Sequence, residues 1–158
     1  MPKNKSKGSK VERELYQIFI DNNYRAVRVA GSGTMENADC DILAGKKGQK
    51  FAIEVKSCKK LPKYISKDQI NRFITFSEIF GLKPVIGIRI NQLGWFFLNP
   101  KSMRDSGKNW VVNMEIIRKK AKKFAQFFIS SKPHKTLKIG DNSFKDEKEL
   151  DNLIGDDY

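Results

Sequence analysis

The sequence predicts an α/β fold: a mixed central sheet with an antiparallel hairpin core, flanked by helices. Three observations carry this expectation. Helix-type apolar spacing at 9–22 and 66–80 brackets three strand-type segments. Two of those strands are joined only by Gly45-Lys46-Lys47-Gly48, so they must run antiparallel. Hydrophobic residues make up 39% of the 158 residues and aromatics 11%, which supplies the core of one domain.

The elements follow in order. Residues 1–8 read as a flexible basic arm. Ser9-Lys10-Val11-Glu12 matches a helix capping box, and Val11, Leu15, Ile18 and Phe19 continue at helical spacing until Asn22-Asn23. Tyr24–Ala30 is strand-like, Gly31–Asn37 a polar loop, and Asp39–Ala44 a second strand. The third strand, Gln49–Lys56, alternates Phe51, Ile53 and Val55 with Ala52, Glu54 and Lys56. Ser66-Lys67-Asp68-Gln69 is a second capping box. The helix behind it carries Ile70, Phe73, Ile74, Phe76, Ile79 and Phe80 on more than one face, and stops at Gly81. Val85–Ile90 and Trp95–Leu98 form a second hairpin, ended by Asn99-Pro100. Trp110–Val112 is a short strand, and 114–129 reads as one helix. The domain expectation is an arm at 1–8, one folded domain at 9–129 and an acidic tail at 130–158.

Charge narrows the partner. The net charge is +13 and the pI about 9.8. Residues 141–158 hold seven acids against two lysines, a net −5, which leaves +18 on residues 1–140. Such an excess fits a polyanion, most simply nucleic acid. Two cysteines and one histidine, without a CxxC pair, rule out structural zinc by ligand count and fit a reducing compartment. No apolar run is long enough for a membrane span, and the lysine-rich start lacks the apolar stretch of a secretory signal. A cytoplasmic, nucleoid-associated protein with no membrane partner is expected.

The strand parity then raises a chemical question. Glu54 and Lys56 share one strand face, and on an antiparallel hairpin Asp41 points to that same face, opposite Ala52 or, slipped by one residue on each strand, opposite Glu54. Two carboxylates facing a polyanion oppose binding unless a cation sits between them. Phosphodiester hydrolysis needs such a cation, to neutralise developing charge and acidify a water, and Mg²⁺ asks for only one or two carboxylates. A lysine alongside can orient or deprotonate that water. Asp41, twelve residues, then Glu54-Val55-Lys56 is the D-(x)n-E-x-K pattern of the restriction-endonuclease-like superfamily.

Further segments add to this. "VERELYQIF", "AVRVAGS", "DCDILAG", "IEVKS" and "FSEIFG", in that order, resemble the archaeal Holliday junction resolvases over roughly residues 7–98. The resemblance implies a homodimeric, Mg²⁺-dependent endonuclease (Mn²⁺ as a substitute) that cuts four-way DNA junctions in recombination and repair, leaving 5′-phosphate and 3′-hydroxyl ends. It implies that Glu12, Asp41 and Glu54, with Val55 through its carbonyl, hold the metal, that Lys56 is the catalytic lysine and that Ser32 lies beside the site. Arg13 and Arg28 match DNA-facing positions, and Lys10 joins them on the helix. Phe76 and Phe80 match aromatic positions of the dimer helix. A dimer suits a junction of approximate two-fold symmetry, which needs two symmetrical nicks. Asp39 has the same strand parity as Asp41, but "DILAG" follows Asp41. A flap or duplex nuclease of the same fold, and a non-catalytic architectural protein, stay open as rivals. "AKKFAQFF" (121–128) has the aromatic spacing of a sliding-clamp-binding peptide, with Ala121 in place of the usual glutamine; packing on the body is the favoured expectation. Cys40 and Cys58 read as buried or inert thiols, and His134 has no assigned role.

Overall fold

The structure, a computed structural model, describes residues 3–29 and 39–129. Its elements are α1 (Lys3–Asp21), β1 (Arg25–Arg28), β2 (Ile42–Lys46), β3 (Gln49–Cys58), β4 (Lys63–Ser66), α2 (Lys67–Ile79), β5 (Lys83–Ile90), β6 (Gly94–Leu98), a 3₁₀ turn (Pro100–Ser102), β7 (Arg104–Ser106), β8 (Asn109–Val112), α3 (Met114–Lys120), β9 (Lys122–Lys123) and α4 (Phe124–Phe128). None of these helices is long and apolar enough to cross a membrane.

A six-stranded sheet runs in the order β1-β2-β3-β5-β6-β9. β3 and β5 are parallel, joined through α2, and every other pair is antiparallel. This is the mixed sheet with an antiparallel hairpin core that the sequence predicts. The hairpin is tighter than expected. Lys46 pairs with Gln49, so only Lys47 and Gly48 turn the chain, and Gly48 takes φ +78°. A two-residue turn of this kind calls for positive φ, which glycine adopts without strain. The shorter turn selects the slipped register: Ile42 pairs with Ile53, which brings Asp41 opposite Glu54.

Both sheet faces are covered. On one, α1 buries Val11, Leu15 and Phe19 against Ile53, Val55, Val85, Trp95 and Phe97. A Cβ on Gly87 would lie 2.9 Å from the Leu15 Cδ2, so α1 approaches β5 this closely only because residue 87 has no side chain. On the other face, α2 buries Ile70 and Phe73 against Ala52, Ile86, Ile88, Phe96 and Leu98. A second sheet, β4-β8-β7, adds Ile65 and Val112 to that core. Its strands β4 and β7 do not stand out in the sequence.

Two expectations need correction. α1 opens at Lys3, so residues 3–8, expected as a flexible arm, are helical and Ser9 lies inside the helix rather than at its cap. Lysine's straight side chain costs little in a helix and lets it extend N-terminally. The helix expected at 114–129 is two helices separated by an extended Ala121 and the edge strand β9. The reason is topological. Ile117 belongs to the α2-side core and Phe128 to the α1-side core, so the chain must cross the sheet edge between them. Two of the three aromatics of "AKKFAQFF", Phe127 and Phe128, are thereby taken into the body, while Phe124 stays exposed. Phe128 packs edge-on against Phe19, Tyr24 and Phe97, and Phe127 stacks on Phe97.

Candidate active site

The site forms where β2 and β3 meet the first turns of α2 and the middle of α1. A cleft of about 270 Å³ is lined by Val11, Glu12, Asp41, Glu54, Val55, Lys56, Ser57, Lys63 and Gln69. Four of the residues expected to carry chemistry, Glu12, Asp41, Glu54 and Lys56, therefore share one concavity.

Each is held by a specific contact. Asp41 accepts a hydrogen bond at Oδ2 from the Val55 amide, 2.7 Å away. The backbone of β3 thus fixes Asp41 beside Glu54. Glu54 is 4% exposed and Asp41 9%, among the few buried charged residues of the described chain. Lys56 Nζ donates to Glu54 Oε1 at 2.6 Å, and Gln69 Nε2 donates to the same oxygen at 2.7 Å. Glu12 leans in from α1 and accepts from Arg28 of β1 at 3.0 Å. With Ser9 inside α1, Glu12 is not a capping glutamate; it spans α1 and β1.

The electrostatics of this cluster are under tension. Burial, then the negative charge of Asp41, push the Glu54 carboxyl up from an ordinary 4.5 to about 7; Lys56 pulls in the opposite direction, and Glu12 adds a smaller upward push. Two opposed, buried carboxylates in this state suit a divalent cation, which would supply the missing positive charge. Among the described residues no three His, Cys, Asp or Glu side chains converge as a ready-made metal cage. The donor set is instead the one or two carboxylates, completed by water and substrate oxygens, that Mg²⁺ prefers.

Gln69 is the residue that sequence reasoning missed. Ser66 does stand at the α2 N-cap, but its side chain makes no capping bond, and Gln69 turns into the cleft. Its S-x-x-Q spacing looked like a cap, and only the α2–β3 packing reveals the other use.

The remaining candidates fall around the cleft. Lys10 and Arg13 are exposed on α1, flanking Val11 and Glu12. Arg28 lies on β1 and reaches the site through Glu12. Asp39 bonds to Arg72 of α2 at 3.2 Å and is not part of the cleft lining. Phe76 and Phe80 stack at 4.5 Å between ring centroids on the outer face of α2. Burial pushes the Cys40 thiol up to about 12, helped by nearby Asp41, so this thiol is inert at neutral pH. Ser32, the loop it belongs to, and residues 130–158 with His134 lie outside the described residues.

A mixed sheet with this hairpin, presenting Asp41 and Glu54-Val55-Lys56 in one cleft, defines a nuclease of the restriction-endonuclease-like class. The family model for the archaeal Holliday junction resolvases (Hjc) matches residues 3–136, and the chain belongs to that family. The match runs well past Leu98, where the likeness of short motifs fades. The chain is 38% identical over 110 residues to the crossover junction endodeoxyribonuclease Hjc of Methanocaldococcus jannaschii, covering 70% of this chain and 78% of the relative. It is 33% identical over 112 residues to that of Archaeoglobus fulgidus, covering 71% and 82%. The solved structure of Archaeoglobus fulgidus Hjc, a Holliday junction resolvase, superposes with a TM-score of 0.66 at 30% identity, over 70% of this chain and 90% of that one.

Proposed function

We propose that this chain is a homodimeric, Mg²⁺-dependent endonuclease that resolves four-way DNA junctions by paired symmetrical nicks. The observation that carries the reading is the single cleft gathering Glu12, Asp41, Glu54 and Lys56, in a chain whose relatives are named crossover junction endodeoxyribonucleases.

Asp41 and Glu54 would hold the ion, with Glu12 and the Val55 carbonyl completing the protein's share. When bound, the ion neutralises charge at the scissile phosphate and lowers the pKa of a coordinated water. The chain's own residues do the rest. The Val55 amide fixes Asp41. Gln69 and Lys56 fix one oxygen of Glu54. Lys56, held at the mouth of the cleft by Glu54, would orient a water or meet charge on the phosphoryl oxygens. Lys10, Arg13 and Arg28 would meet DNA phosphates on the α1 side. Such contacts position the duplex without reading bases, as recognition of junction shape requires. The dimer reading is supported by the apolar outer face of α2, where Ile79 is 78% and Phe80 59% exposed.

The test is cleavage of a labelled four-way junction beside a linear duplex of the same arms, in Mg²⁺ or EDTA, with wild type and Glu54→Ala. Paired nicks in the junction alone, in Mg²⁺ alone and with wild type alone are expected. Tight binding without cleavage would show an architectural protein. Equal nicking of the duplex would remove the junction from the reading.

A further inference from the structure

A broad open groove lies away from the catalytic cleft. It holds about 830 Å³ where α3, β9 and α4 meet β6, two to three strand positions along the sheet from β3. Its rim carries Arg118, Lys119, Lys120, Lys122 and Lys123, and no acid is among its lining residues. Glu115 beside it answers only Lys119, at 2.8 Å. The floor is apolar: Phe96 and Ile117 lie at its base, and the side chains of Leu93 and Met114 are partly open to solvent. Five cations in six consecutive positions repel one another, and an apolar floor in water is costly, so the groove suits an occupant that is both acidic and apolar.

The chain carries such a segment. Residues 141–158 hold a net −5, with Phe144, Leu150, Leu153 and Ile154 set among the acids. The family model stops at residue 136, so this segment is an addition to what the family shares. Eleven residues lie between Ile129 and Asp141, a reach of up to about 40 Å. The groove begins at Gln126, only three residues before Ile129, so the connection is long enough without crossing the molecule. Nucleic acid would satisfy the cations but not the floor.

We propose that residues 141–158 dock in this basic groove of the same chain, as an internal polyanion that DNA must compete with in the field of the protein. A tethered segment acts at a local concentration in the millimolar range, so individually weak contacts suffice. The docking itself is independent of the nuclease reading; only its effect on DNA rests on it.

Carbodiimide cross-linking of the full-length, DNA-free protein, followed by peptide mass spectrometry, tests the docking. Links within one chain from the tail carboxylates to Lys119, Lys120, Lys122 and Lys123 should exceed those to the exposed Lys47, Lys50 and Lys108 by about fivefold or more, and fade near 1 M salt. Links spread evenly over all lysines, or links between chains, would overturn it. Binding of a linear duplex gives the second readout. Converting the seven tail acids to amides in the full-length chain should tighten binding about tenfold at low salt. Adding Lys120→Glu, Lys122→Glu and Lys123→Glu should abolish that gain. If the reversed lysines weaken duplex binding equally with either tail, the groove is a DNA contact and the proposal fails.

Discussion

Glu54 holds a position that the fold tolerates only at a cost. Its carboxyl is buried beside Asp41, and its folded pKa of about 7 lies above the ordinary 4.5. The folded state therefore holds this proton more tightly than the unfolded chain does. Its contribution to stability declines as pH rises from about 4.5 through 7. Glu54→Gln removes the penalty: in EDTA at pH 8 its melting temperature should exceed that of wild type by several degrees, a gap that closes near pH 4.5. The same variant should not cleave. A melting series in which the two proteins stay parallel across pH would contradict the assignment. Gln69 differs in kind, since its contact in the cleft is with Glu54, which it positions. Gln69→Ala should slow cleavage by about 10- to 100-fold, the usual cost of losing a group that orients a ligand, while duplex affinity measured in Ca²⁺ stays unchanged. Asp41, Glu54 and Lys56 were legible in the sequence because strand parity puts them on one face and the family segments single them out, whereas Glu12, on α1, was legible only through the resemblance. Gln69 was not, because its placement depends on how α2 meets β3, a contact between residues fifteen positions apart.

Among the elements, the long periodic ones were readable and the short ones were not. α1, β3, α2 and the β5–β6 hairpin follow apolar spacing over five or more residues. β4 and β7, at four and three residues, exist only through pairing with β8. The break between α3 and α4 was hidden because apolar spacing continues across it, while the two halves serve opposite faces of the sheet. The position of α4 can be tested. Phe128 sits among Phe19, Tyr24, Phe97 and Phe127, so Phe128→Ala should cost about 3–5 kcal/mol, read from urea unfolding. A loss under about 1 kcal/mol would mean that α4 does not dock. Gly87→Ala should likewise destabilise, because the new methyl meets Leu15 at 2.9 Å. Overpacking of this kind costs about 1–3 kcal/mol by the same measurement.

For the whole molecule, the proposed dimer and the charge distribution give the sharpest expectations. Phe80→Glu places a charge in the exposed apolar face of α2 without touching the catalytic cleft. It should convert a dimer to a monomer by sedimentation equilibrium and abolish paired nicking while single nicks persist. A variant that sediments as wild type would move the interface elsewhere. The basic body was visible in composition, but not its division into an active-site flank and a groove at the far sheet edge. That division follows from the order in which β5, β6 and β9 add to β3.

The ring of aromatic contacts also bears on how the chain reaches this state. Phe19 near one end of the described chain and Phe128 at the other lie 5.0 Å apart. More than a hundred residues must be brought round before that contact forms, and closure of so long a loop is entropically late. The α1 side of the sheet therefore stays unsealed until the final helix arrives. Until α4 docks, the sides of Phe19, Tyr24 and Phe97 that Phe128 covers would face water, an apolar surface open to other copies of the chain. Within the described residues α4 acts as a clasp, and the speed of its docking would set how long that surface stays at risk of aggregation.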